Sequence, residues 1–256
     1  MTSWKLLTLG LSGWMAVAGA LFAADPPSAN PAAAAKKARI VVLGDSITAG
    51  YGLDPAEAYP ALLQTKIDTA GLPFTVANAG VSGDTTAGGL RRVEWALGNN
   101  GAQVLIIALG GNDGLRGISP KQTAENLTGI ITKARNKFPD IKIITAGMQM
   151  PQNFGAEYIG QFKAVFPTVA KEQKTAFVPF LLENVGGIPK LNQEDMIHPT
   201  PEGQKIVAEN VWKILGPVLK PAAAAAAAAA SPSTAAESPS PPAKAPAPAP
   251  SAPSSS

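Results

Sequence analysis

No cysteine occurs anywhere in the 256-residue sequence. Disulfide staples, thiol nucleophiles and zinc–thiolate sites are therefore excluded, and so is lipid attachment through an N-terminal cysteine. Histidine is nearly as scarce. His198 stands alone, so a multi-histidine metal site cannot be assembled. Charge is thin as well. Lys and Arg total 21 against 18 Asp and Glu, a net charge of +3. The basic pairs Lys36-Lys37 and Arg91-Arg92 do not make the basic stripe that nucleic-acid binding requires, and no nucleic-acid partner is expected.

Phosphate-binding signatures are missing from the first glycine turn. The stretch after Val41 reads VLGDSITAGYGL, with neither the spacing nor the lysine of G-x-x-x-x-G-K-[ST]. Its glycines, Gly44, Gly50 and Gly52, do not fit G-x-G-x-x-G either. The G-x-S-x-G elbow of α/β-hydrolases also fails, because the window is Gly44-Asp45-Ser46-Ile47-Thr48.

Near the N-terminus, Lys5 precedes an apolar run over residues 6–22 that ends in small residues. Basic, apolar, then small is the layout of a secretory signal. Residues 1–24 are expected to be a signal peptide, with cleavage after Ala20, Ala23 or Ala24. The other reading is an uncleaved anchor, but the run is slightly short for a span of about 20 residues and contains Gly10, Ser12 and Gly13. Export implies a periplasmic or secreted protein with no stable membrane span after cleavage. Residues 25–37 read as a Pro/Ala-rich linker. Residues 221–256 are almost entirely Ala, Pro and Ser, too poor in large apolar side chains to offset the entropy of ordering them, so a disordered tail is expected. The alanine run 222–230 favours helix, but a helix that short is marginal by itself.

Residues 38–220 remain, about one domain. Apolar strand-like runs at 40–43, 74–77, 104–109, 141–146 and 176–179 alternate with helical spacing at about 59–70, 86–97, 120–138, 156–171 and 201–219. Two of these helices open with a cap residue followed by proline, Ser119-Pro120 and Thr200-Pro201. Pro167 is expected to kink or split the fourth. Alternation with short connections predicts an α/β fold in which helices cover both faces of a parallel sheet. Chemistry then belongs in the loops at the carboxyl ends of the strands.

Those loops contain Gly44-Asp45-Ser46, NAGVSGDT over 78–85, GGNDGLRG over 110–117 and, before the last helix, EDMIHPT over 194–200. A serine nucleophile needs a base and a group to orient that base. Ser46, His198 and Asp195 can fill these roles, with Asp195 three residues before His198 so that a tight turn brings carboxylate to imidazole. Acyl transfer also needs oxyanion donors. The candidates are the backbone N–H groups of Ser46 and Gly83 and the side-chain amide of Asn112. The plainer readings are a surface histidine, a turn glycine and an asparagine that supports a turn.

Together the four blocks resemble the SGNH hydrolases, also called GDSL esterases and lipases. GDSITAGYG supplies Ser46, NAGVSGDT supplies Gly83, GGNDGLRG supplies Asn112, and DMIHP supplies Asp195 and His198. The resemblance spans essentially all of 38–220 and is greatest to the exported bacterial branch described as thioesterase I, arylesterase or lysophospholipase. It implies a flavodoxin-like, three-layer α/β/α fold with a mostly parallel sheet of about five strands. It also implies an ester or thioester hydrolase with small ester or lipid-like substrates and no metal or organic cofactor. Two positions depart from the pattern: Ile47 replaces the usual Leu, and Met196 stands where Gly is common. Asp113–Pro120 is expected to form a mobile flap, with Leu115 and Ile118 meeting the acyl group. Met148, Met150, Phe154 and Ile118 either add an apolar wall or are ordinary core. Alternatives are a carbohydrate O-deacetylase, which a small polar pocket would favour, and a non-catalytic envelope-binding protein.

Overall fold

The computed structural model describes residues 37–230. The expected signal peptide, all but the end of the linker and the last part of the tail lie outside them. Five strands form one sheet: β1 (Ala38–Gly44), β2 (Phe74–Gly80), β3 (Val104–Ala108), β4 (Lys142–Ala146) and β5 (Ala176–Val178). All neighbours are parallel, in the order β2-β1-β3-β4-β5. The expected α/β architecture is the one observed. Parallel strands covered on both sides need apolar side chains on both sides. Ile40 to Leu43 and Leu105 to Ile107 are accordingly fully buried.

The helices are α1 (Ser46–Ala49), α2 (Tyr59–Thr69), α3 (Thr86–Leu97), α4 (Gly111–Leu115), α5 (Pro120–Lys137), α6 (Ala156–Glu172) and α7 (Pro201–Ala230). From β1 the chain steps outward to β2, then crosses back over β1 to β3. Right-handed crossovers therefore place α2 on one face and α3, α5 and α6 on the other. α7 returns to pack beside α2, while α3, α5 and α6 pack in a row. Both expected caps form: Ser119 accepts from the N–H of Gln122, and Thr200 from that of Gly203.

Two helices differ from expectation. Pro167 does not split α6, which runs through it. Its ring lies on the exposed face, where water can serve the carbonyl that proline leaves without a donor. α7 continues past residue 219 to Ala230. The alanine run is marginal only if it must nucleate alone. Here it extends a helix already nucleated by packing, and each added residue gains a bond without a new nucleation penalty.

The direction reversal between β1 and β3 creates a switch point, the usual site of ligand binding in open α/β sheets. Register aligns Gly44 with Gly80 on one side and with Ala108 on the other. The loops after β1, β2 and β3 thus emerge side by side.

Candidate active site

β1 ends at Gly44, and the chain turns at once into the single helical turn α1. Asp45 caps it, accepting from the N–H of Ile47 at 3.0 Å. Ser46 is the first helical residue, where an N–H has no acceptor within the helix. The turn is held from several sides. Asn78 donates to the Thr48 carbonyl at 2.8 Å, and the hydroxyls of Thr48 and Tyr59 meet at 2.8 Å. From α7, Gln204 donates to the Ile47 carbonyl at 3.1 Å and accepts from the N–H of Tyr59 at 3.0 Å. β2 passes so close that a Cβ on Gly80 would lie 2.3 Å from the Ala49 nitrogen. Asp45 is buried, and burial pushes its carboxyl up from 3.8 to about 6, against the Ile47 N–H and nearby His198.

The loop before α7 carries His198. It is closed by a bond from the N–H of Gln193 to the His198 carbonyl at 2.7 Å. The Gln193 amide also donates to the Tyr51 carbonyl at 2.7 Å, tying this loop to the serine loop. Within the loop, one oxygen of Asp195 accepts from the N–H groups of Ile197 and His198 at 2.9 and 3.0 Å. The other lies 2.5 Å from His198 Nδ1. A carboxylate only accepts, so Nδ1 carries the proton and Nε2 of the neutral ring is left as an acceptor. Ser46 Oγ lies 2.8 Å from that Nε2. Burial alone would raise the Asp195 carboxyl, but the His198 ring and the two backbone donors outweigh it and hold the group at about 2. Met196 sits at φ +58, a left-handed conformation that costs a non-glycine residue about 1–2 kcal/mol. Glycine would suit this position for that reason.

Gly83 turns the loop after β2 at φ +78, and its carbonyl accepts from Arg116 at 2.9 Å. Asn112, the second residue of α4, donates its amide to the Asp84 carbonyl at 2.9 Å. An amide has two N–H donors, so this bond orients the side chain and leaves one donor over. Asn112 thus supports a turn, as the plainer reading has it, and keeps a donor for a ligand. Ser46, Gly83, Asn112 and His198 all line one cleft.

That cleft has a volume of about 720 Å³, within the usual range for small-molecule sites. Its wall includes Leu115, Met148, Met150, Phe180, Leu182 and Ile197. Ile118 and Phe154, expected beside the acyl group, are not among the lining residues. Gly117, at φ +64, redirects the chain after α4, and the Ile118 carbonyl accepts from the Tyr158 hydroxyl at 2.8 Å. The expected flap is also anchored at its start. Asp113, fully buried, accepts from the backbone N–H of Thr86 at 2.8 Å and from the Thr86 hydroxyl. Among the described residues, no cluster of three or more His, Cys, Asp or Glu side chains is arranged to hold a metal.

Residues 42–206 match the model of the GDSL-like lipase/acylhydrolase family. The chain belongs to that family. It is 44% identical over 180 residues to the esterase TesA of Pseudomonas aeruginosa, covering 70% of this chain and 89% of the relative. It is 37% identical over 182 residues to thioesterase 1/protease 1/lysophospholipase L1 of Escherichia coli K12, covering 70% and 84%. The crystal structure of TesA superposes with a TM-score of 0.68 at 44% identity, covering 71% of this chain and 99% of that one. The protein is thus an ester hydrolase of the SGNH type.

Several contacts of this hydrolase site escape a reading by motif. The Tyr51 ring packs 4.5 Å from that of His198, centroid to centroid. Gln193 and Gln204 join loops more than a hundred residues apart in sequence. Arg92 donates to Asp84 and to two backbone carbonyls. Gln193, Gln204 and Arg92 carry no local signal, because a polar side chain acquires its role from partners that only folding brings to it.

Proposed function

We propose that this SGNH hydrolase cleaves carboxylic or thio esters through an acyl-enzyme on Ser46. His198 Nε2 takes the Ser46 proton as Oγ attacks the carbonyl carbon. Asp195 holds the imidazole in the required tautomer and stabilises the imidazolium that forms. The N–H groups of Ser46 and Gly83 and the free Asn112 N–H receive the developing oxyanion. His198 then protonates the departing alcohol or thiol, and water, deprotonated by the same base, releases the acid. The observation that carries this reading is the unbroken chain from Asp195 through both nitrogens of His198 to Ser46 Oγ.

The apolar cleft wall favours a lipid-like or aromatic acyl ester over an acetylated sugar. The relatives' names, esterase and thioesterase/lysophospholipase, point the same way. The N-terminal signal pattern supports export to the periplasm or beyond. No helix among the described residues is long and apolar enough to cross a membrane.

A fluorophosphonate probe should label the wild type at Ser46, and Ser46→Ala should neither label nor turn over substrate. A panel of p-nitrophenyl esters, acyl thioesters, lysophospholipids and acetylated sugars gives the substrate class. Faster release of acetate from sugars than hydrolysis of longer-chain esters would replace this reading with a deacetylase. Unlabelled, folded wild-type protein would end the serine mechanism.

A further inference from the structure

Arg92 has no part in the four motif blocks, yet its guanidinium meets three chain segments at the site. Its Nε donates to a carboxylate oxygen of Asp84 at 2.7 Å. One terminal nitrogen donates to the Ala79 carbonyl at 2.8 Å and the other to the Gly44 carbonyl at 2.9 Å. Gly44 ends β1 two residues before Ser46, and Ala79 lies at the end of β2. Asp84 directly follows Gly83, and its own carbonyl receives the Asn112 amide. One planar fork thus joins the three segments that carry the proposed oxyanion donors, reaching each within two residues or one further hydrogen bond.

We infer that Arg92 is the positioning residue of the oxyanion site, setting the spacing between the Ser46 and Gly83 N–H groups. This rests on the proposed serine mechanism. Three features support it. The ion pair is largely buried, with side chains 18% and 12% exposed. A buried pair is weak evidence for net stability, which leaves the geometry it fixes as the role inferred here. Room has been made for it, since a Cβ on Gly88 would lie 1.6 Å from the Asp84 Oδ1 atom. The fork also requires arginine: a lysine offers one flexible ammonium and cannot hold three acceptors in one plane. Such a residue touches no substrate. It acts on the transition state, where donors displaced by even 1 Å can lower the rate by about 100-fold.

The test uses Arg92→Lys in the full chain, which keeps the charge beside Asp84 and loses the fork. With a p-nitrophenyl ester, kcat should fall by about 10- to 100-fold while KM stays within about twofold. Affinity for a trifluoromethyl ketone, which forms a tetrahedral oxyanion adduct on the serine, should fall by a factor similar to kcat. Combined with Asn112→Ala, the loss should be smaller than the product of the single losses, because both act through Asp84. Asp84→Asn, which keeps the shape and removes the charge, should shift the same parameters in the same direction and covers the case of an unfolded lysine variant. Wild-type kcat in folded Arg92→Lys or Asp84→Asn overturns the inference. So does a fall in kcat with unchanged adduct affinity. Wild-type protein that hydrolyses no ester and fails to label at Ser46 would instead reject the underlying mechanism.

Discussion

Asn112 holds the Asp84 carbonyl and, in the proposed mechanism, also binds the oxyanion, and the two roles can be separated by measurement. One N–H holds the Asp84 carbonyl, and the amide has a second donor on a residue that lines the cleft. Asn112→Ala should lower stability by about 1 kcal/mol, the worth of a typical hydrogen bond. It should lower kcat by about 10²–10³, the range for losing one oxyanion donor, with KM nearly unchanged because the ground-state carbonyl bears less charge. Steady-state kinetics well below the melting temperature, beside a thermal melt, separate the two effects. Wild-type kcat would remove Asn112 from the catalytic set. Asp45 gives a prediction of opposite character. Its folded value is raised to about 6 from 3.8, so it contributes stability that is fully present below about pH 4 and is lost as pH rises through 6. The size is about 3 kcal/mol, from roughly two units at 1.36 kcal/mol each. Asp45→Asn keeps an acceptor for the Ile47 N–H and removes the buried charge. Its melting temperature should exceed the wild type's at pH 8 and match it at pH 4. Equal differences at both values would mean that burial does not control this carboxyl. Asp195 runs the other way. Its depressed value means that its contribution holds above pH 4 and is lost as the medium falls through about 2.

The elements that matter most at the site are short. α1 is a single turn and α4 little more, so neither can persist by helix propensity. Each depends on side chains from elsewhere: Gln204 and Asn78 for the first, Thr86 for the second. α4 also presents Leu115 to the cleft, 38% exposed. A half-exposed leucine contributes little to the core, so Leu115→Ala should leave the melting temperature nearly unchanged. It should nevertheless shift the ratio of long- to short-chain ester rates, because it removes part of the acyl wall. An unaltered chain-length profile would exclude Leu115 from substrate contact. Ile118→Ala should leave that profile unchanged, since the chain has left the cleft by this point.

For the whole molecule, α7 contributes apolar side chains to the core along its described part. Among the described side chains, Leu219 is the last fully buried one. Deleting residues 221–256 should therefore leave ester hydrolysis and the melting temperature close to those of the full chain. A large drop in melting temperature would show that this Ala/Pro/Ser segment docks on the domain. The same deletion is a control for any envelope-binding role, since it would abolish such binding and spare hydrolysis.

The sequence by itself determined the layers, because the periods of apolar residues and the Ser-Pro and Thr-Pro helix starts are local signals that packing reinforces. It also named Ser46, Asp195 and His198 as the candidate catalytic groups, through the four motif blocks. With one histidine and no cysteine, few other nucleophilic sites can be written, and a three-residue spacing lets a tight turn bring carboxylate to imidazole. Tertiary structure alone decided what lies between these groups. Gln193, Gln204 and Arg92 are unremarkable in sequence because their partners belong to other elements that only the fold brings near. Ile118 and Leu115 look alike in the chain, yet only Leu115 lines the cleft, since the turn at Gly117 redirects the backbone. Pro167 was legible as a breaker but not as a tolerated one, because its effect depends on which side of the helix faces water. The alanine run likewise reads as marginal until a packed helix precedes it. Local sequence fixes what each segment favours, and long-range contacts choose among those preferences.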